Sequence, residues 1–279
     1  MTVKIVTDSV ADIPPQVAED LGIMVVPLNV RFGTDVYRDG IDLTSDEFFI
    51  RLEHSEEVPV TSVPSPGSFA DAYDALAGEA DEILVITISS KLSGTNEVAR
   101  QSIGLMKKRR RVEVIDSRLA IMAQGFVVIE AAKLAQTGAG FDDVKNNVYS
   151  NIPRVDMRAA FDTLEYLKRG GRIGKAQSLL GSILKINPII GLNDGEVVPI
   201  SRERSRDKAI EHLINFVASY SKIDGIAVEY ATAEDEATKL VETLSIIAPK
   251  AQIYLSRASP VIGTHTGPGL LLVSVLGDK

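Results

Sequence analysis

The chain has 279 residues, of which 45% are hydrophobic and 24% are charged, and its formal net charge at pH 7 is −8. This length suggests one large domain or two domains of ordinary size. The acidic balance argues against general binding to nucleic acid or to anionic membranes. The sequence has no cysteine, which rules out disulfides, thiolate metal sites and a cysteine nucleophile.

The sequence does not predict a membrane-spanning segment. It lacks a run of about 18 apolar residues, and the opening MTVKIVTDSV has the pattern of a short apolar strand rather than a signal peptide. With only three histidines, a polyhistidine metal site is not expected. We therefore expect a cytoplasmic protein with no nucleic-acid partner, no metal and no cofactor, whose contact with membranes would be transient.

The first 160 residues alternate short β-rich segments with helical patterns. Thr44 and Glu47 have the spacing of a capping box and predict the start of a helix. Other helices are predicted at 14–21, 94–106, 125–137 and 141–151, and strands at 3–7, 24–30, 83–88, 112–115 and 155–161. Strands separated by helices indicate a parallel sheet with right-handed crossovers.

The pattern changes after about residue 160. A hairpin is predicted around Asp194-Gly195, helices at 208–221 and 234–247, and strands at 226–230, 252–255, 261–264 and 270–275. We predict an α/β fold of two domains: a mostly parallel sheet with flanking helices over 1–160, and a second, smaller α/β domain over 161–279. The segment 61–80 is a candidate for crossing between them, because TSVPSPGSF resembles a connecting segment.

A cluster of hydroxyl side chains follows the predicted strand at 83–88. Ser93 and Thr95 flank Gly94, just where a helix is expected to begin. Ligands of parallel α/β sheets bind at the carboxyl ends of strands, and the first N–H groups of a helix suit an anion. Glycine would allow close backbone approach, and the two hydroxyls would add donors. The alternative is a helix cap without a ligand, since serine and threonine are common caps.

Two further polar segments could contribute to a site. In TSVPS at 61–65 the prolines favour an extended backbone or a turn, which leaves Thr61 and Ser62 free to face a neighbour, while Ser65 is predicted to cap a helix. In GTHTGPG at 263–269 a histidine, His265, is predicted on a flexible polar loop after a strand. It could donate a hydrogen bond or exchange a proton near neutral pH.

Basic residues are concentrated in three places, of which the run KKRRR at 107–111 is predicted to be a solvated helix end. The stretch KRGGRIGK at 168–175 lacks the glycine and the hydroxyl residue that a nucleotide-binding phosphate loop requires, so that interpretation fails. A cationic docking surface with Arg169 and Arg172, or a local phosphate contact, remains open. Arg202, Arg204 and Arg206 alternate further on, where they would either bind an anionic partner or solvate the surface.

No common enzyme signature is present: the sequence has no G-x-S-x-G, no G-x-G-x-x-G and no H-E-x-x-H. An enzyme could still use Ser93 as nucleophile with His265 as base, as a hydrolase or acyl transferase. The sequence identifies no acidic residue that would orient such a histidine. Hydroxyl-rich loops without a nucleophile–base pair are more typical of binding, so we predict a non-enzymatic protein with no catalytic residues.

Taken together, the segments resemble the DegV family from end to end. The matching segments are TDS at 7–9, TSVPS at 61–65, SSKLSGT at 89–95, VIDS at 114–117, DTLEYLKRGGRI at 162–173, INP at 186–188 and HTGPG at 265–269. Each is weak alone, and their order and spacing carry the resemblance.

The resemblance implies two α/β domains that bury a long-chain fatty acid between or within them. It also implies a partner, a separate fatty acid kinase that converts the bound acid to an acyl phosphate for phospholipid synthesis. By analogy Thr61, Ser93 and His265 would hold the carboxylate, and Ser62, Gly94 and Thr95 are further candidates for that site. Arg169 and Arg172, with Arg202 as a third candidate, would lie near the kinase surface.

Overall fold

The computed structural model describes residues 2–180 and 186–279. Its strands are β1 (Val3–Asp8), β2 (Met24–Val26), β3 (Asn29–Phe32), β4 (Asp35–Arg38), β5 (Val60–Ser62), β6 (Glu82–Thr87), β7 (Arg111–Asp116), β8 (Val155–Ala160), β9 (Asn187–Asn193), β10 (Glu196–Glu203), β11 (Lys222–Tyr230), β12 (Gln252–Arg257) and β13 (Leu271–Asp278). Its helices are α1 (Pro15–Asp20), α2 (Ser45–His54), α3 (Pro66–Leu76), α4 (Thr95–Ser102), α5 (Ile121–Gln136), α6 (Phe141–Asn151), α7 (Glu165–Gly170), α8 (Arg206–Ala218), α9 (Glu234–Ile247) and α10 (Pro260–Thr266).

The first sheet has the order β2-β1-β6-β7, and all its strands are parallel. This confirms the mostly parallel sheet predicted for the first part of the chain. The capping box is also present, since Thr44 accepts from the Glu47 N–H and the Glu47 carboxylate accepts from the Thr44 N–H. The segment predicted as one strand over 24–30 is instead β2 and β3, which lie in different sheets with Pro27 between them. Proline has no N–H to continue a ladder.

The second sheet has six strands in the order β10-β9-β8-β13-β11-β12, and only β11 and β12 pair in parallel. The predicted hairpin is present, with β9 and β10 antiparallel on either side of Asp194-Gly195. β8 pairs with β13 and β9, so the strand that ends at Ala160 belongs to this sheet. Helix α5 is apolar around most of its circumference and packs against strands of both sheets, as expected of a helix buried on all sides.

A small third sheet, β4-β3-β5, packs with α2 against α10. Here two predictions are wrong: 261–264 is not a strand, and His265 does not lie on a flexible loop, because both belong to helix α10. The Ser259 side chain caps this helix, Pro260 has the φ that its first turn needs, and Gly267 ends it in the left-handed region with φ 73°. The β-branched residues of VIGTHT favoured a strand, and the cap and the proline outweigh them.

The turn of the β9–β10 hairpin rests against the first sheet. The Ser89 hydroxyl donates to the carbonyl of Gly195 at 2.8 Å, and the Asp194 carboxylate pairs with Lys91 at 2.9 Å and with Arg118 at 2.6 Å. A side chain at Gly195, where φ is 78°, would collide with the Ser89 hydroxyl. These contacts hold β9 and β10 over the carboxyl end of β6, where they enclose the cavity described next.

Candidate functional site

An apolar cavity lies in the hydrophobic core between the two larger sheets. Its open space amounts to about 770 Å³, counting the solvent-filled space at its mouth. On one side Ala159 lies opposite Ile190 and Leu272 on the neighbouring strands, and all three line the cavity. Apolar residues from the ends of the first sheet form the facing wall, among them Val10 and Ile88.

The polar side chains of the cavity lie together at one end. Thr61 contacts His265, and the guanidinium of Arg172 donates to the carbonyls of Gly170 at 2.7 Å and of Leu92, next to Ser93, at 3.2 Å. Thr266 also lines the cavity, but its hydroxyl donates within helix α10. The lining therefore changes from apolar to hydrogen-bonding at this end, which we call the polar end.

The contact between His265 and Thr61 fixes how each can bond a ligand. Nε2 of His265 lies 2.8 Å from Oγ1 of Thr61, whereas Nδ1 is buried and has no hydrogen-bond partner among the described residues. A buried N–H without an acceptor is the costlier state, so the proton belongs on Nε2 and is donated to Thr61. The Thr61 hydroxyl is then left to donate its own proton towards a ligand.

His265 is neutral at physiological pH. Burial, and next the positive charge of Arg172, lower the pKa of its imidazole from 6.5 to about 4. With such a pKa, only a small fraction of the imidazole is protonated near pH 7. The polar end therefore offers hydroxyl and N–H donors around a neutral imidazole.

The backbone of Gly170 comes very close to the His265 ring. An added Cβ at Gly170 would collide with Nδ1 and would stand 2.9 Å from Cε1. The φ of Gly170 is not in the left-handed region, so it is this close approach that requires glycine. Sequence reasoning missed the role of Gly170, because a steric requirement between residues 95 positions apart leaves no local pattern.

Of the candidate residues in the two hydroxyl segments, at 61–62 and 93–95, some reach the cavity and others do not. Ser93 lines the cavity, whereas Thr95 is buried beneath it and its hydroxyl bonds that of Ser93 at 2.8 Å. Gly94 is the exposed N-cap of α4 and lies against Val63. Thr61 and Ser62 are neighbours on β5, so they face opposite sides of the small sheet, and Ser62 points outward. Of these candidates, Thr61 and Ser93 therefore reach the cavity.

The three arginines predicted to form a docking surface are all exposed, and they differ in their contacts. Arg172 is exposed, as predicted for a docking residue, but it also lines the cavity, which the sequence did not predict. Arg169 pairs with Glu165 one turn earlier on α7 at 3.2 Å. Arg202, on β10, donates to the carbonyl of Ser178 at 2.6 Å. Arg206 begins α8 and turns away to pair with Glu236, so the alternating arginines do not share a face.

A second pocket of about 530 Å³, counting the open space at its mouth, adjoins the polar end, and the exposed Val58 and Val60 are part of its lining; we call it the outer recess. Both pockets are lined by Thr61, Arg172 and His265, which form the partition between them. The outer recess is also lined by Arg169 and Tyr166. A head group held at the partition would consequently be reachable from the surface beside the exposed arginines.

The geometry does not supply a serine nucleophile and its base. The Ser93 hydroxyl bonds Thr95, and Nε2 of His265 faces Thr61 rather than Ser93. Nδ1 of His265 has no carboxylate partner in the described part of the chain, so nothing there orients the ring as a catalytic triad would. With its lowered pKa, this imidazole is also a weak base.

The fold and the site define a class: an α/β protein that encloses an apolar cavity and closes it with hydroxyl groups, a neutral imidazole and one guanidinium. A family model described as "Uncharacterised protein, DegV family" matches residues 2–278. The chain belongs to the DegV family. A DegV domain-containing protein of Halalkalibacterium halodurans is 36% identical, with 99% of each chain covered.

Two solved structures of the family are similar throughout. One is described as fatty acid binding of a DegV family protein from Thermus thermophilus; it has a TM-score of 0.90 and 34% identity, and 99% of this chain and 100% of that chain are covered. The other is DegV, a fatty acid binding protein from Bacillus subtilis, with a TM-score of 0.91, 33% identity and full coverage of both chains. The α/β fold predicted from the sequence is confirmed. In the described part of the chain, no helix is long and apolar enough to span a membrane.

Proposed function

We propose that this protein binds a long-chain fatty acid in the apolar cavity, with its carboxylate at the polar end, and presents it to a separate fatty acid kinase. The observation that carries the proposal is a cavity that is apolar along its walls and ends in the hydroxyls of Thr61 and Ser93. The fatty-acid-binding relatives described above support it. The protein itself would be a carrier without enzymatic turnover.

The energetics favour the tail as the main source of affinity. A chain of about sixteen carbons, at about 0.8 kcal/mol for each buried CH₂, gives on the order of 12 kcal/mol of transfer free energy. The head group then needs only enough hydrogen bonds to offset its loss of water. The hydroxyls of Thr61 and Ser93 would supply these bonds, with His265 orienting Thr61 and Arg172 adding a favourable charge nearby.

The proposal is tested by mass spectrometry of the protein purified from bacteria under native conditions. We expect one fatty acid per chain, released on denaturation and replaced by added fatty acid after delipidation. A protein that carries no lipid and takes up none from solution would contradict the proposal, and esterase activity in such a protein would favour the hydrolase.

Replacing Gly170 with alanine should weaken fatty-acid binding, because the added methyl group pushes the His265 ring away from Thr61. We expect the Kd for fatty acid to rise by about tenfold, the effect of losing one buried hydrogen bond. The neighbouring Gly171→Asn is the matched control: φ there is 68°, nothing lies within 4 Å of an added Cβ, and asparagine tolerates this conformation. Equal affinities in the two variants would show that the Gly170 contact has no role.

Delivery to a kinase can be separated from lipid binding at Arg169. This side chain is exposed and its pair with Glu165 is a surface pair of small energetic value, so Arg169→Ala should keep its fold and its affinity for fatty acid. We expect kinase-dependent formation of acyl phosphate to slow by about three- to tenfold at low salt, and the difference to shrink as salt screens the wild-type charge.

The control for this variant is Lys250→Ala, which removes an exposed positive charge elsewhere. A wild-type rate for Arg169→Ala at every salt concentration would exclude docking at this residue. Arg172 is unsuitable for the experiment, because it also braces the cavity mouth through its bonds to Leu92 and Gly170.

A further inference from the structure

Helix α10 carries His265 in its last turn, and its first turn is held by two buried carboxylates from other parts of the chain. The N–H of Val261 donates to Oδ1 of Asp39 at 3.1 Å, and the N–H of Ser259 donates to Oδ2 of Asp12 at 3.2 Å. Pro260, between them, has no N–H. These two bonds satisfy N–H groups that the helix itself leaves without a partner.

Asp39 is itself held firmly. Its other oxygen, Oδ2, accepts from the Ser9 hydroxyl at 2.6 Å, and that hydroxyl accepts from the N–H of Leu28 at 3.1 Å. The N–H of Asp39 donates to the carbonyl of Leu28 at 2.9 Å. Asp39 is 3% exposed. A charge buried to this degree is costly unless it is fully hydrogen-bonded, and the function described so far does not use it.

The helix transmits the position of its first turn to the polar end because it is short and closely packed. Gly263, at its centre, has no space for a Cβ beside the ring of Phe49, which an added Cβ would approach to 2.8 Å. One turn later, Nε2 of His265 meets Thr61 at 2.8 Å. A rigid helix of seven residues moves as one body, so a shift at Val261 becomes a shift at His265.

We propose that Asp39 is a positioning residue of the fatty-acid site: it holds the first turn of α10 and thereby sets where His265 meets Thr61. Asp12 assists from the other side of Pro260, and Ser9 orients Asp39. This inference rests on the proposed function. It assigns a role in ligand binding to a carboxylate that lies outside the cavity lining and cannot touch the ligand.

The test is a double-mutant cycle measured by fatty-acid titration of the delipidated full-length protein. In the otherwise wild-type protein, Asp39→Ala should raise the Kd about tenfold. The reason is that His265 would no longer be held in the position from which it bonds Thr61. In a His265→Ala background the same change should have little further effect, because the group that it positions is gone. Asp39→Asn keeps an acceptor for the Val261 N–H and should restore most of the affinity.

Two measurements separate positioning from general loss of structure. Asp74→Ala is the matched control, since Asp74 also accepts backbone N–H groups, those of Lys107 and Lys108, but does not line or adjoin the cavity. The chain has only three histidines, so the ¹⁵N signals of the His265 imidazole can be resolved. They should change in Asp39→Ala and stay unchanged in Asp74→Ala.

The inference is overturned if wild-type protein binds fatty acid while Asp39→Ala binds it equally well, or if Asp39→Ala weakens binding by the same factor with and without His265. Should Asp39→Ala fail to fold, Ser9→Ala loosens Asp39 more gently and is expected to raise the Kd about threefold only when His265 is present. Absence of binding in the wild-type protein would instead contradict the proposed function.

Discussion

Ala159→Phe is expected to weaken fatty-acid binding at least a hundredfold while leaving the protein folded. Ala159 is 1% exposed and lies between Ile190 and Leu272 on the strands that line the cavity. The larger side chain would occupy space that the acyl chain needs. Excluding about four methylenes costs about 3 kcal/mol, so the Kd should rise at least a hundredfold. Titration of the delipidated protein with a fluorescent fatty acid measures this directly.

The matched control is Ala160→Leu, one residue further along the same strand. Ala160 is fully buried too, but it faces the opposite side of the sheet, in the core that includes Leu213 of α8. Overpacking there should lower the melting temperature without changing lipid affinity. If folded Ala159→Phe kept the wild-type affinity, the lipid would have to bind outside this cavity.

Glu229→Gln is expected to stabilise the protein at pH 7.5. Glu229 is completely buried, and its Oε2 accepts from the N–H of Met122 at 3.2 Å. Its other oxygen, Oε1, and Oδ1 of Asp12 are both buried and have no hydrogen-bond partner in the described part of the chain. Burial, and next the charge of Asp12, raise the pKa of Glu229 well above its usual range. Glutamine would keep the bond to Met122 and would donate its amide N–H to Asp12.

The size of this gain depends on pH in a defined direction. Because the folded state raises the pKa of Glu229, protonation favours folding below the ordinary value of 4.5, and this contribution is lost as the pH rises. At pH 7.5 the wild-type carboxyl group therefore costs at most about 4 kcal/mol, and glutamine removes most of that cost. Near pH 4.5 the two proteins should be almost equally stable.

Denaturant unfolding at both pH values checks this expectation, with the exposed Glu53→Gln on α2 as control. If Glu229→Gln and the wild-type protein have the same free energy of unfolding at pH 7.5, the buried carboxyl group of Glu229 does not destabilise the folded protein. A gain that is larger at pH 4.5 than at pH 7.5 would contradict the direction of the pKa shift.

Most of the elements could be predicted because their signals are local. The alternation of strands and helices indicated the parallel sheet, and helix α9 (Glu234–Ile247) begins and ends where its pattern predicted. The hairpin at Asp194-Gly195 followed from the turn residues. The segment around His265 was the main failure. Valine, isoleucine and threonine favour strands, but the Ser259 cap and Pro260 in the first turn start a helix here.

For the site, the sequence could predict candidate residues from their type and position, but not the contacts between them. Ser93 was a candidate because it follows the predicted strand at 83–88, and Thr61 because the nearby prolines favour an extended backbone that leaves its side chain free; both line the cavity. The contact between Thr61 and His265 joins residues 204 positions apart, and the collision that requires glycine at 170 is equally non-local. Such contacts depend on how three sheets pack together, which a single sequence does not encode in any short pattern.

The hydrophobic core that contains the cavity also decides how the molecule can be divided. Its buried members come from both larger sheets and from α5, for example Ile5, Phe126, Met157 and Leu272. The ring of Phe126 occupies the place where a side chain at Gly225 would be. Either half expressed alone would expose this shared surface to water and would tend to aggregate. An affinity tag or reporter belongs instead in the exposed turn at Gly138, where nothing lies within 4 Å of an added Cβ.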